Sequence, residues 1–524
     1  MPTDTRSLEA PAGEAAGPRG PGRHRDILLS LKYSTIEACF SVPMLNLTMP
    51  NLPFAIAFAV AALGWSPWAV GLMAALPHWC NFMQPPVAWA MQRRLPLMHM
   101  MRFGFVLSAL PWACVVLLPY LGPSRDIAFA ILLTVATFAN SIASVSWSAS
   151  ISELVPPRIS GRFFGRRNLI FGFWTLLAVL AAGHLADAGH RALSTFVWIF
   201  AAAGAARLIG LLFLDRMKFP PSVTHLHPNP ARWKDFSRAL HDRNYMFLMG
   251  FIGLWGLSLN LGLPFYTVFL IESLHFTIGD VVILTTLASL GGLLTLKGWG
   301  ALVDRFGNKP VLNVCALAWV GVALFSWSLA GPHWQRHLYL NYLLVGGTTA
   351  GFQLCQFNLM VKLVPIRPRA PYIAVFLAVT SLCTALGPLL GGLLLSWLPE
   401  SLGTFLGQPI RHYHVLFALS LLGCGLSVQL LQGVREEAAA PAEAVWRTMR
   451  TMRAFNPLMG LTTVGELLLT PMGMVSLVRQ SARSLRRQAR VITRVGEEIV
   501  VSSQEVVRSS LVNRGPSEPP GPED

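Results

Sequence analysis

The stretch Gly300–Leu312, which reads G-A-L-V-D-R-F-G-N-K-P-V-L, joins two long apolar segments and leaves no room for a folded domain between them. Its glycines, Gly300 and Gly307, are expected to let the backbone turn tightly and to let two helix ends approach. Three charges stand where a chain would leave a bilayer: Asp304, Arg305 and Lys309. Asp304 is expected to cap a following helical turn or to pair with a basic residue on a neighbouring helix end. The charges alone fit a solvated basic loop, whereas the combination of charges, glycines and position is more specific.

The composition around this stretch indicates a membrane protein. Of the 524 residues, 53% are hydrophobic and 13% are charged, and the mean hydropathy is +0.51. A soluble chain of this length could not bury so much apolar surface, whereas membrane spanning accounts for it. The net charge of +16 would indicate nucleic acid in a soluble protein. Here the basic residues fall in short gaps between apolar runs, so no nucleic-acid partner is expected.

The apolar runs form two sets of six, separated by the polar segment 215–243. We predict spans near 34–60, 68–91, 97–120, 126–151, 165–187, 192–214, 245–271, 279–298, 310–330, 336–361, 372–397 and 412–432. The predicted organisation is a disordered tail (1–30), a six-helix bundle (31–214), a loop (215–243), a second bundle (244–433) and a tail (434–524).

Charge and repeat patterns support this division. The gaps after even-numbered spans hold most of the Arg and Lys residues, which predicts that both termini are cytoplasmic and that the protein lies in the cytoplasmic (inner) membrane. Leu154-Val-Pro-x-Arg158 recurs as Leu363-Val-Pro-x-Arg367, an offset of 209 residues. A repeat at that distance fits one six-helix half.

Gly300–Leu312 resembles the loop signature of the major facilitator superfamily, G-x-L-x-D-R-x-G-R-[RK]-x-x-L. The matching residues are Gly300, Leu302, Asp304, Arg305, Gly307, Lys309 and Leu312. Asn308 stands where a basic residue is usual. The resemblance implies an all-α polytopic fold of twelve helices, with two six-helix halves related by a pseudo-two-fold axis. It also implies that the stretch joins helices 8 and 9 and acts as a charge-relay latch that favours the outward-facing state.

A second cytoplasmic latch is predicted after span 4. The segment 153–168 is similar to the helix 4–5 loop of poorly characterised bacterial members of the superfamily. Glu153, Arg158 and Arg162 are the candidate latch residues. An exposed ion pair of little energetic weight and a gate contact are equally good interpretations of Glu153 and Arg162.

The resemblance implies a central cavity lined mainly by helices 1, 4, 7 and 10. A polar group at that depth must be paired or must face water. The candidate cavity residues are Asn46, Asn140, Trp147, Asn260, Gln353 and Gln356. For Asn140, Gln353 and Gln356, bonding between helices and contact with a substrate are equally good interpretations.

Two titratable residues are candidate proton carriers, Glu37 in span 1 and His78 in span 2. A lone membrane histidine is more often a packing residue, and Glu37 is expected close to the cytoplasmic end of its span. Span 4 has no Arg, and the Gly-Pro motif usual in helix 5 of proton-coupled drug antiporters is absent from span 5. These departures weaken the case for proton-driven antiport and leave proton or ion coupling open.

The C-terminal tail contains a basic amphipathic pattern over residues 478–499. Apolar residues repeat there at helical spacing, with arginines between them. We expect this segment to lie on the anionic inner leaflet of the lipid bilayer.

Two functions fit these sequence features. The first is a secondary active or facilitative transporter that moves a small, neutral or amphipathic solute by alternating access. The second is a non-transporting membrane scaffold or assembly factor of the same fold. No Walker loop, HExxH motif or clustered His/Cys set occurs, so neither an enzyme nor a cofactor or metal is expected.

Overall fold

The computed structural model describes residues 21–92, 97–155, 157–218, 233–328, 336–364, 369–405, 408–436, 443–445 and 448. The first half contains α1 (Pro21–Thr48), α2 (Pro53–Ala61), α3 (Pro67–Gln92), α4 (Leu97–Cys114), α5 (Arg125–Leu154), α6 (Pro157–Ala188) and α7 (Leu193–Leu214). Short 3-10 turns, Val115–Tyr120 and Gly122–Ser124, join α4 to α5. The second half contains α8 (Trp233–His241), α9 (Arg243–Glu272), α10 (Ile278–Phe306), α11 (Asn308–Ser328), α12 (His337–Leu363), α13 (Arg369–Trp397) and α14 (His412–Gly433). An antiparallel hairpin of β1 (Ser401–Phe405) and β2 (Gln408–Arg411) connects α13 to α14.

Membrane-spanning helices dominate the part of the chain that the structure describes. Eight of these helices are long and apolar enough to cross a bilayer, or nine if α1 and α2 form one bent span. The bend between them is 40°, and it falls at Pro50 and Pro53, where proline interrupts the helical hydrogen bonds. The helices α3, α11 and α12 also have spanning length, with 26, 21 and 27 residues. A helix of spanning length, or the bent pair α1–α2, therefore lies at each of the twelve predicted positions, in order.

Several helix boundaries differ from the predicted ones. Residues 21–30, assigned to a disordered tail, belong to α1, and the inter-bundle loop contains α8. The arginines after span 4 were assigned to a loop, but α6 begins at Pro157 and includes them. Arginine is a good helix former, so a charged stretch need not end a helix.

The stretch 300–312 is almost entirely helical. Only Gly307 separates α10 from α11, and its φ of +91° is a conformation that favours glycine. Gly300 lies inside α10, and a Cβ there would meet no atom of the described residues within 4 Å. The prediction that Gly300 makes a turn or a close helix approach was therefore wrong, whereas Gly307 makes the turn.

The internal repeat marks equivalent helix ends. Leu154 ends α5 and Leu363 ends α12, and the valine that follows each one is extended, with ψ of 114° at Val155 and 128° at Val364. Each valine precedes a proline in the sequence, and proline disfavours the helical conformation of the residue before it.

The two halves of the bundle pack closely against each other on one of its two faces. We call the face at which α1 begins and α14 ends the base, and the other the opposite face. The first half packs on the second through the pairs α3–α13, α6–α10 and α2–α9. On the opposite-face side, a Cβ at Gly71 would overlap the carbonyl oxygen of Pro388, and one at Gly392 would lie 2.7 Å from that of Pro67. Among the described residues, α5 and α12 form no extensive contact with each other.

Aromatic residues fill the interior of each half. In the first half, the rings of Phe58 and Phe200 meet edge to face at 5.0 Å. In the second, Tyr266 meets Phe417 in the same way at 5.2 Å. Interiors packed in this way resist deformation, so each half is suited to moving as a body.

Candidate functional site

A cavity of about 370 Å³ lies at mid-depth of the bundle. Its walls come mostly from α9, α11, α12 and α13, and α3 of the first half contributes His78. The lining residues are His78, Ile252, Trp255, Gly256, Leu259, Asn260, Trp319, Thr349, Phe352, Gln353, Gln356, Thr380, Ser381 and Thr384. Apart from the imidazole of His78, no side chain in this set is ionisable, so the cavity offers neutral hydrogen-bonding groups on an apolar wall.

Amide groups are among the polar contacts that the cavity offers to a solute. The hydroxyls of Thr349, Thr380 and Thr384 already donate to carbonyls of their own helices at 2.7 Å. The Nδ2 of Asn260 donates to the carbonyl of Gly256 at 2.9 Å, and the same side chain is hydrogen-bonded to His78.

Two glutamines on α12 complete the polar set. Gln353 is exposed and Gln356 is half-buried, and both line the cavity. Three residues apart on a helix, they lie on one face. A solute in the cavity would meet both donor and acceptor groups from the amides.

An aromatic cluster forms the apolar wall. The rings of Trp255 and Phe352 stack at 4.5 Å with an interplanar angle of 23°, and Trp319 meets Trp255 edge to face at 5.5 Å. These residues were not predicted from the sequence. Phe352 precedes Gln353 directly, but its packing on another helix has no local sequence signal.

His78 is where the first half reaches the cavity. Its imidazole lies beside Asn260 of α9, and its Nε2 has no hydrogen-bond partner among the described residues. The predicted proton carrier His78 thus stands at the boundary between the halves.

A buried group of charges lies outside the cavity, inside the first half. Glu37 of α1 and Arg167 of α6 are 3.7 Å apart, and their side chains are 3% and 8% exposed. Arg167 also lies 4.5 Å from the ring of Trp147 and donates to the carbonyl of Ser34. Buried charges persist in proteins only when they are paired in this way.

A second buried arginine extends the group. Arg207 of α7 is 3% exposed. Its Nη2 donates to Oδ1 of Asn140 at 3.1 Å, and its guanidinium lies 3.8 Å from the ring of Phe105. A lone arginine in an apolar span is a signal that the sequence carries, and the span prediction passed over it. Arg167 was missed because it was counted with the basic residues of the gap after span 4, and residues of such a gap are expected to be exposed.

The predicted cavity residues divide between these two places. Asn260, Gln353 and Gln356 line the cavity, as does His78. Asn140 and Trp147 contact the buried arginines instead. Asn46 donates to the carbonyl of Val42 in its own helix at 3.0 Å. Asn46, Asn140 and Trp147 therefore do not line this cavity, although the sequence analysis assigned them to the same site.

The turn between α10 and α11, which is the predicted helix 8–9 latch, contacts an acidic residue that the sequence pattern did not reveal. The carboxylate of Glu436, just after α14, accepts the backbone N–H of Lys309 at 2.6 Å and of Asn308 at 3.2 Å. It also accepts Nδ2 of Asn308 at 3.1 Å and Nζ of Lys362 at 2.9 Å. Glu436, and not Asp304, therefore caps α11. We call Asn308, Lys309, Lys362 and Glu436 the base cluster.

Burial alone would raise the pKa of Glu436. The hydrogen bonds from Lys309, Lys362 and Asn308 outweigh burial, so the pKa of Glu436 lies below its ordinary value. Asp304 and Arg305 are exposed in the last turn of α10. Asp304 makes no ion pair within the part of the chain that the structure describes, and Arg305 lies over the ring of Phe306 at 5.2 Å.

The second predicted latch lies partly outside the described residues. Glu153 belongs to α5, and Arg158 and Arg162 belong to α6. Their side chains are not among those described. The amphipathic segment 478–499 also falls outside the described residues.

Comparison with known proteins agrees with this architecture. The sequence matches the family model of the Major Facilitator Superfamily over residues 38–295 and 256–481. The chain therefore belongs to the major facilitator superfamily, whose members are membrane transporters rather than enzymes. No curated protein matches the sequence at a significant level.

Solved structures share the fold at low sequence identity. A D323A mutant of the nucleoside transporter NupG superimposes with a TM-score of 0.60 at 15% identity, covering 78% of this chain and 100% of that one. A D-xylose–proton symporter gives 0.57 at 15% identity, covering 80% and 98%. The xylose transporter XylE from E. coli, partially occluded and inward open, gives 0.53 at 14% identity, covering 77% and 96%. At these identities the likeness establishes the fold alone.

Proposed function

We propose that the chain carries a small uncharged solute across the membrane by alternating access, with the cavity around Asn260, Gln353 and Gln356 as its binding site. The observation that carries this proposal is the lining itself, which presents amide groups on an aromatic wall without a fixed charge. Such a lining favours a solute that hydrogen-bonds and also has an apolar face. A charged solute would lose its hydration there without gaining a counter-ion.

The two bundles, 31–214 and 244–433, are proposed to rock as bodies around this site. The alternation of basic residues supports an inner-membrane location with both termini cytoplasmic, so that the base would be the cytoplasmic face. The halves meet closely on the opposite-face side, which fits a state that is open toward the cytoplasm. The base cluster, with Asp304 and Arg305 beside it, is proposed as the latch that acts when the base closes.

Proton coupling is proposed to pass through His78. The imidazole lies between the halves and beside the cavity amide of Asn260. A proton on His78 would therefore affect both the contact between the halves and the binding site. Glu37 is the other proposed carrier, but it lies buried inside the first half, 3.7 Å from Arg167, and does not line the cavity. The variant His78→Gln should keep solute exchange between two equal pools and lose accumulation driven by a pH gradient. Equal gradient-driven accumulation in both proteins would remove His78 from this role.

Binding and transport of uncharged solutes test the main proposal. Purified protein would be screened against uncharged sugars, nucleosides and amphipathic alcohols by thermal shift in detergent, because a solute that binds the folded state raises its stability. A stabilising solute would then be followed into liposomes. We expect the variant Gln353→Ala to weaken binding on the order of tenfold, since it removes a free amide.

The matched control is Asn46→Ala. Asn46 carries the same amide group, but that amide bonds within its own helix and is not in the cavity lining. Its removal should leave solute affinity unchanged. If both variants bind equally well, the cavity is not the site, and if no solute on the panel binds or moves, a non-transporting scaffold becomes the better interpretation.

A further inference from the structure

The two halves are joined on the opposite face by hydrogen bonds between one carboxylate and one helix end. Asp187, in the last turn of α6, accepts the backbone N–H of Ile278 at 3.1 Å and of Gly279 at 2.8 Å. Both donors belong to the first turn of α10. Since α6 belongs to the first half and α10 to the second, these bonds cross between the bodies proposed to move.

The N-terminus of α10 depends on both halves for its hydrogen bonds. The first N–H groups of a helix have no partner within it. Thr277 accepts the N–H of Asp280 at 3.0 Å, and Asp280 accepts the N–H of Thr277 in return. The capping box does not bond the N–H groups of Ile278 and Gly279, and the carboxylate of Asp187 accepts both. A carboxylate there also interacts favourably with the helix dipole.

An arginine completes the connection. Arg191 lies 3.3 Å from Asp187, and its Nη2 donates to the carbonyl of Phe276 at 3.2 Å. Its backbone φ is +56°, in the left-handed region that arginine seldom adopts. The turn after α6 therefore directs this side chain toward the second half, where it bonds the loop that precedes α10.

We infer that Asp187 and Arg191 act as a clasp that holds the opposite face closed and sets how often it opens. This inference takes the rocking movement of the proposed function as its premise. Separation of the halves at this face would break the bonds to Ile278, Gly279 and Phe276 together. The clasp therefore favours the state in which this face is closed, and its removal shifts the population toward the open state.

The clasp can be tested by labelling a residue that the closed face hides. Val282 is 3% exposed, and its Cγ2 lies 3.3 Å from a Cβ built at Gly183 of the first half. The variant Val282→Cys would be treated with a maleimide reagent in lipid nanodiscs. Labelling at position 282 would be read by peptide mass spectrometry, so the native cysteines remain in place.

Adding Asp187→Asn should accelerate this labelling on the order of tenfold, since charge-assisted bonds across the halves become weaker neutral ones. The matched control is Asp280→Asn. It removes a carboxylate from the same helix N-terminus, but one that bonds within its own half. Its labelling rate should equal that of Val282→Cys alone.

Equal rates with and without Asp187→Asn would overturn the clasp, as would equal acceleration by Asp280→Asn. If Asp187→Asn does not insert, Arg191→Gln decides, because it removes the bond to Phe276 and keeps the carboxylate. It should also raise the rate, and an unchanged rate would reject the clasp. The readout is accessibility, so a failure of every solute to move would challenge the proposed function without altering this result.

Discussion

Nη2 of Arg167 lies 3.7 Å from Oε2 of Glu37, and both side chains are withdrawn from solvent and lipid inside the first half. This contact joins α1 to α6. With Arg207 nearby, the carboxylate is the only acidic group among the described side chains of this cluster. Removal of the carboxylate would leave buried guanidinium groups without a counter-charge, which is more costly than removal of the whole pair.

The variant Glu37→Gln should therefore lower the stability of the protein substantially, by roughly 3–5 kcal/mol. The double variant Glu37→Gln with Arg167→Gln should recover part of that loss. Thermal unfolding in one detergent would compare them. Asp26→Asn is the control, because the Asp26–Lys218 pair is exposed and should contribute less than about 1 kcal/mol. A double variant less stable than the single one would contradict this account.

The base cluster predicts a dependence of stability on acid pH. Because the folded-state pKa of Glu436 is lowered from 4.5, its contribution to stability is fully present above that pH. The contribution is lost as the pH falls below 4.5 and through the lowered folded-state value. Unfolding temperatures measured between pH 7 and pH 3 should therefore fall more steeply for the parent than for Glu436→Gln.

At pH 7 the same variant should be less stable, by roughly 1–3 kcal/mol, since hydrogen bonds to a charged acceptor are lost. The difference between parent and variant should shrink toward pH 3. A difference that stays constant across this range would show that the charge of Glu436 does not act through the base cluster.

Two glycines of the signature stretch form a matched pair. Gly307 has a positive φ of +91°, whereas Gly300 is helical with open space around it. Gly307→Ala should destabilise the protein by about 1–3 kcal/mol, because alanine is strained in that conformation. Gly300→Ala should be neutral or stabilising by up to about 1 kcal/mol, since alanine favours a helix. Equal losses from both changes would contradict the assignment of the turn to Gly307.

The sequence predicted the spans because each one must present a long apolar run to the lipid. It also located Asn260, Gln353 and Gln356, since an amide in an apolar run is conspicuous wherever it points. The sequence did not predict which residues these side chains contact in the folded chain. Asn140 is equivalent to Gln353 at the level of sequence, yet it bonds Arg207, which is 67 residues away. Glu436 contacts Asn308 across 128 residues, and no local pattern encodes such a contact.

The family resemblance predicted the fold, but it did not reveal which carboxylate caps α11. It pointed to Asp304 because the signature places an aspartate there. In this chain α11 receives its acceptor from Glu436, so Asp304 remains exposed at the end of α10. A motif fixes which residue types occur at a turn, but the contacts depend on what the rest of the chain brings near it.

A final prediction concerns the close approach of α3 and α13 on the opposite-face side. A Cβ at Gly71 would overlap the carbonyl oxygen of Pro388, and backbone cannot move aside as a flexible side chain can. Gly71→Ala should therefore disfavour the state in which this face is closed. In the labelling experiment at position 282, we expect faster modification, because the opening of this face relieves the overlap.

The control Gly425→Ala places a Cβ in open space within α14, so it should leave the rate unchanged. Slower or equal labelling of the Gly71 variant would mean that α3 and α13 do not separate when Val282 becomes accessible.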